Sequence, residues 1–219
     1  MRETYSKLQK ELIIMTQTQV KKLTFTEFLA KVPDDGIYEL VDGEIVEVDA
    51  TRAHKNVARF LVKSFDREAE RLGLDYIVDK DIVVRTVNKN GQEQGRRPDV
   101  SVVSASLWNA NVLDYGAVTE PIPLAVEVTS TNWEDDYVDK LDEYERLGID
   151  EYWLVDYLAI ASRAYLGNPK VPAVFVYNLV DGQYQSQRYT GSDRIISQIF
   201  TELPLTAEQV ITSSQLSRL

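Results

Sequence analysis

Two acidic residues on successive apolar stretches, followed by a lysine on a helix, are the residues of this chain best placed for chemistry. The first stretch reads Arg97-Pro98-Asp99-Val100-Ser101-Val102-Val103 and the second Pro123-Leu124-Ala125-Val126-Glu127-Val128-Thr129. Asp136, Lys140 and Tyr144 follow at intervals of four, which sets them on one helix face. Asp99 stands at the mouth of its strand, whereas Glu127 interrupts a run that otherwise reads as core. A carboxylate there is costly unless it is paired or binds a cation. If the two strands are neighbours, both carboxylates converge on one ion. Carboxylate oxygens completed by water suit Mg²⁺ or Mn²⁺. Such an ion polarises a phosphoryl oxygen and acidifies water, and Lys140 can orient that water or stabilise the transition state.

The elements that must position these residues are legible from periodicity and punctuation. Thr24 to Lys31 predicts a short helix, with Thr24 as N-cap and Glu27 completing a capping box. Ile37 to Val41 and Glu44 to Val48 predict a hairpin around Asp42-Gly43. Val57, Phe60, Leu61, Phe65 and Leu72 mark one face of a long helix over 53–72, closed by Gly73. Asp75 to Val87 reads as one extended strand, and the residues from Asn88 onward as an exposed loop. After the two acidic strands come a helix over 133–147 stopped by Gly148, a strand over 151–156, a strand over 173–179 and a last strand over 183–190. Thr206 to Val210 reads as a terminal helical turn. Alternation puts Glu127 and Thr129 on one face of their strand and Val126 and Val128 on the other. The expected fold is a single α/β domain over 23–212 with a mixed central sheet flanked by helices. An extension over 1–22, flexible or packed on a partner, precedes it, and a tail over 213–219 follows.

The 219 residues are enough for one core, with 44% hydrophobic and 27% charged residues. No run approaches the roughly 18 apolar residues that span a bilayer. The absence of cysteine excludes disulfides, thiolate chemistry and a zinc finger. A cytoplasmic location is expected. The net charge of −11 argues against indiscriminate coating of DNA. Screening over about 8 Å still lets a local basic patch act against the global sign, and Lys89, Arg96 and Arg97 form the densest cluster.

These residues resemble a known family. Pro98-Asp99 followed by Glu127-Val128-Thr129 is similar to the PD-(D/E)XK nuclease pattern with its last lysine replaced. The fuller order is similar to the Uma-type restriction-endonuclease-like family, long catalogued as a domain of unknown function. It runs from Tyr38-Glu39-Leu40-Val41-Asp42-Gly43-Glu44-Ile45 through His54 and Arg97-Pro98-Asp99 to Val126-Glu127-Val128-Thr129-Ser130. Asp136, Lys140, Tyr144 and Glu151-Tyr152-Trp153-Leu154-Val155-Asp156 complete it. The resemblance covers roughly Leu23 to Val210. It implies a restriction-endonuclease-like core with an N-terminal hairpin and C-terminal strands, and a divalent-metal nuclease site. By position Asp99 and Glu127 match the metal-binding acids. Thr129 stands where the usual lysine would be, and Lys140 matches a lysine migrated to the next helix.

The expected activity is Mg²⁺-dependent (or Mn²⁺-dependent) hydrolysis of DNA phosphodiester bonds, with Asp99, Glu127 and Lys140 catalytic. Glu39 is a third candidate metal ligand, and His54 and Tyr144 are candidate auxiliaries. Each has a plainer alternative. Asp99 can cap a turn, Glu127 can sit in an internal ion pair, and Lys140 can be a solvated partner of Asp136. Glu39 can be a cross-strand neighbour, His54 a surface or capping residue, and Tyr144 a core residue. Arg96 and Arg97 suit phosphate contacts or a surface pair in a loop. Cutting both strands needs two sites, so a homodimer is expected. The rival function is an inactive nuclease scaffold retained as a binding or regulatory module. A weaker one is a two-carboxylate sugar hydrolase.

Overall fold

The computed structural model describes residues 21–215. The expected N-terminal extension lies outside them apart from Lys21 and Lys22, as does the tail beyond Gln215. Helix α1 (Phe25–Leu29) begins at the predicted capping box, with Glu27 N–H donating to the Thr24 hydroxyl and Thr24 N–H to the Glu27 carboxylate. Strands β1 (Tyr38–Val41) and β2 (Glu44–Glu47) form the predicted hairpin. Helix α2 (Arg52–Leu72) is capped by the Thr51 hydroxyl and ends at Gly73, whose φ of 64° is cheap only for glycine.

The segment expected as one strand over 75–87 is two. Strand β3 (Tyr76–Asp79) pairs with β6 (Val100–Ser104), whereas β4 (Val83–Val87) pairs with β5 (Glu93–Arg96). The apolar pattern runs through both, so periodicity alone did not show that the chain changes sheets between them. The expected loop after Asn88 is correspondingly short. It is a turn, and β5 follows it as a buried strand. The order then continues with α3 (Ala105–Trp108), β7 (Ala117–Val118), β8 (Leu124–Val128), α4 (Lys140–Leu147), β9 (Glu151–Asp156), α5 (Arg163–Leu166), β10 (Ala173–Val180), β11 (Gln183–Tyr189) and α6 (Ala207–Thr212).

Six strands form the main sheet in the order β11-β10-β9-β8-β6-β3, with β8 and β9 parallel and the other pairs antiparallel. Alternation decides what each face meets. Val126, Val128, Trp153, Val155, Val174 and Val176 point to α2, where Val57, Leu61 and Phe65 close the core with Phe200 and Val210. Ala125, Tyr152, Leu154 and Phe175 point the other way, toward Tyr137 and Tyr144. Ser213–Gln215 add a 3-10 turn beside α2, where the Asn56 side-chain amide donates to the Ser214 carbonyl.

A second sheet has the order β2-β1-β5-β4-β7. Leu40 and Val83 on its outer face pack on Phe25 and Phe28 of α1. Gly95 of β5 lets α1 approach, since a Cβ there would lie 3.1 Å from Phe28 and 3.2 Å from Leu40. Its other face carries Glu39, Thr86 and Arg96 toward α4, and those polar residues complete the site.

Candidate active site

The site forms where β6 and β8 lie side by side and α4 crosses beneath the second sheet. Val100 pairs with Val126, so the same antiparallel register sets Asp99 opposite Glu127. Asp99 Oδ2 accepts the Val128 backbone N–H at 2.8 Å, and Oδ1 lies 2.6 Å from His54 Nε2. His54, at the start of α2, is 7% exposed. The only histidine of the chain therefore holds one side of Asp99 and a strand amide holds the other, and the carboxylate has one orientation.

Glu127 and Lys140 make the central contact, Nζ to Oε2 at 3.1 Å. Tyr144, one turn on, donates its hydroxyl to Glu127 Oε1 at 2.7 Å. The Lys140 ammonium also stands 3.4 Å from Asp136 and 3.5 Å from Glu39. All five side chains are buried, so the reading of Lys140 as a solvated helix residue fails. Residues 135–139 take one π-helical turn before α4, a local widening that recurs at functional sites. Asp136 and Lys140 remain on one face across it.

Behind Glu39 lies a second layer. Its Oε1 accepts the Arg97 N–H at 3.1 Å and its Oε2 an Arg96 N–H at 3.3 Å. Arg96 forms a two-pronged pair with Glu143, both bonds at 2.8 Å, and Glu143 also accepts the Thr86 hydroxyl at 2.6 Å. This corrects the expected surface cluster of Lys89, Arg96 and Arg97. Arg96 is 3% exposed and wholly committed to Glu39, Glu143 and Asp135. Glu143 was not singled out in the sequence. Its only signal is its place three residues after Lys140, and its partner arrives from a strand read as loop.

Charge is not balanced here. Glu39, Asp99, Glu127, Asp135, Asp136 and Glu143 gather around two full cations, Arg96 and Lys140. Burial pushes the Glu127 carboxyl well above its usual range; Lys140 opposes this but Asp136, Asp99 and Glu39 reinforce it. Burial likewise lifts Asp136 to about 6, against the pull of Lys140. Desolvation works against the Lys140 ammonium, but Glu127, Glu39 and Asp136 outweigh it and keep the group charged. Burial and the neighbouring Glu127 raise Tyr144, which therefore serves as a neutral donor. Thr129, at the position of the usual lysine, has a buried hydroxyl with no partner among the described residues.

Glu127, Lys140, Glu39 and Tyr144 are thus brought into one cluster, and the Asp99–His54 pair lies beside it, tied to the backbone of the Glu127 strand through the Val128 amide. Trp153 and Tyr152 are core, as their patterns suggested. Among the described residues no helix is long and apolar enough to cross a membrane. Comparison with solved structures finds a protein described as "a putative nuclease belonging to DUF820" from Anabaena variabilis ATCC 29413. The match has a TM-score of 0.66 at 17% identity and covers 88% of this chain and 99% of that one. At that identity the likeness is one of fold, the restriction-endonuclease-like fold. No curated protein matches the chain. The family model Uma2, described as "Putative restriction endonuclease", matches residues 25–208, and the chain belongs to that family.

Proposed function

We propose that the protein is a Mg²⁺-dependent endodeoxyribonuclease. The observation that carries this reading is the 3.1 Å contact between Lys140 and Glu127, both buried, on elements that also hold Asp99. The lysine missing from the strand is thereby supplied by the helix. Family membership supports the nuclease reading.

The donor set fits a hard divalent cation. It consists of carboxylate oxygens, and they outnumber the cations that could neutralise them. Among the described residues no three acidic, histidine or cysteine side chains are already spaced to enclose an ion. Mg²⁺ does not require that, because it keeps several waters and takes one or two carboxylates. Asp99 and Glu127 would hold it. Glu39, the third candidate ligand, lies 3.5 Å from the Lys140 ammonium and bonds to Arg96 and the Arg97 N–H, so it also anchors that ammonium. A bound Mg²⁺ supplies polarisation of the phosphoryl oxygen and a more acidic water.

The side chains do the rest. His54 and the Val128 amide fix Asp99, and Tyr144 fixes Glu127. Lys140 orients the attacking water and stabilises the charge that builds on the phosphoryl oxygens as the P–O bond to the leaving group breaks. A homodimer would place two such sites on opposite strands.

The rival reading, an inactive scaffold, draws on Thr129 at the lysine position and on the closed ion-pair cluster around Lys140. Calorimetric titration of Mg²⁺ and Mn²⁺, run beside plasmid cleavage, separates the two. We expect saturable binding and cleavage in the wild type, and loss of both in folded Asp99→Ala and Glu127→Ala. Absence of binding by the wild type, even with DNA present, favours the scaffold.

A further inference from the structure

A cleft of about 560 Å³ opens between α2 and the turn joining β3 to β4, and Asp99 and His54 of the candidate site are among the residues that line it. Its wall is basic. Lys55, Arg59 and Lys63 line it from α2, and Lys80 and Arg97 line it from the opposite side. Against these stand Asp79, Asp81 and Asp99, leaving an excess of two positive charges in a protein of net −11. The three α2 residues lie four apart, at intervals of about 6 Å along the helix. All three are exposed, while the other face of α2 is packed into the main core through Val57, Leu61 and Phe65. The stripe is therefore carried on a rigid platform.

These cations are largely uncommitted. Among the described residues Arg59, Lys63 and Lys80 have no ion-pair partner, and Lys55 has only an exposed contact with Asp49 at 3.4 Å, a kind of pair worth little. Arg97 donates to the Asp81 carbonyl at 3.0 Å, which sets its guanidinium beside the cleft. Among the described residues no phenylalanine, tyrosine or tryptophan lines the cleft, and Ile37, Val48 and Val62 supply its apolar surface. The wall therefore offers charge at phosphate-like intervals and no platform for stacking a base.

We infer that this cleft is a phosphate track: Lys55, Arg59 and Lys63 follow the phosphodiester backbone of one nucleic-acid strand and lead it to Asp99. The contacts go to the backbone, so binding is independent of base sequence and of bound metal. The inference rests on the nuclease reading for the fate of the strand, but not for its binding.

The test is fluorescence anisotropy of the full chain with labelled single-stranded and duplex oligonucleotides of mixed sequence, in chelator, across a range of salt. The variants are Lys55→Gln/Arg59→Gln/Lys63→Gln and a control with the same change in charge, Lys31→Gln/Lys89→Gln/Arg163→Gln, none of which lines the cleft. For three lost phosphate contacts the slope of log K against log salt should flatten by about 2 for a single strand or about 3 for a duplex. The control should keep the wild-type slope. The arm that shows the loss identifies the form of nucleic acid taken. No plasmid cleavage by the wild type in Mg²⁺, with the slope lost in the α2 variant, leaves the track standing and defeats the nuclease reading alone. No binding by the wild type, or equal slopes in both triple variants, overturns the track.

Discussion

Asp136 shows at a single residue what an excess of buried carboxylates does. With its folded pKa lifted from 3.8 to about 6, it favours the folded state fully only below the lower value, and that contribution disappears as pH rises through the higher one. Above pH 6 the ionised group is therefore a burden, on the order of 3 kcal/mol. Asp136→Asn should accordingly be more stable than the wild type at pH 8 in chelator. The gain should open between about pH 4 and 6 and be absent below. Thermal unfolding at both ends of that range checks this, and a less stable variant at pH 8 would count against it. Arg96 behaves oppositely. Removing it strands Glu143 and weakens the hold on Glu39, so Arg96→Met should cost about 3 to 5 kcal/mol in a urea titration. Arg97→Gln, at a half-exposed position, should cost far less.

At the scale of elements, the site depends on the second sheet being held against α4. Strand β5 is the hinge of that arrangement because its two faces alternate in purpose: Gly95 faces α1, and Arg96 faces Glu143. A larger residue at 95 meets Phe25, Phe28 and Leu40, all buried. Gly95→Val should destabilise by about 1 to 3 kcal/mol through overpacking. It should also reduce cleavage, because β1 and β5 carry Glu39 and Arg96 together. A loss of stability with unchanged cleavage at low temperature would mean that the second sheet does not position the site. The register of β6 against β8 is a separate device. A slip of one residue would turn Asp99 and Glu127 to opposite faces.

Across the whole molecule the charges are segregated. The interior of the site is acidic, the cleft leading to Asp99 is basic, and the surface as a whole is acidic enough to give −11. Nucleic acid held through so few phosphate contacts should bind weakly against that acidic background and with a shallow salt dependence, since the slope scales with the number of contacts. Paired sites are expected from a homodimer, so sedimentation should give twice the 25.0 kDa chain mass. Supercoiled plasmid should pass directly to linear product. A monomer that accumulates nicked circles would instead mean one strand is cut per encounter.

What the sequence determined by itself was local and periodic. The Thr24 capping box, the Asp42-Gly43 hairpin, the long helix closed by Gly73 and the strand over 151–156 all follow from interactions within a few residues or from alternation. The acids Asp99 and Glu127 were visible because charge beside apolar strand residues is costly. The tertiary structure alone decided which strands share a sheet, and therefore that Tyr76–Asp79 and Val83–Val87 part company. It also decided that Arg96 is buried against Glu143, 47 residues away. Arginine in a polar stretch looks the same whether water or a carboxylate will solvate it. The difference lies in what the fold brings opposite, and pairing between distant residues leaves no mark on local pattern.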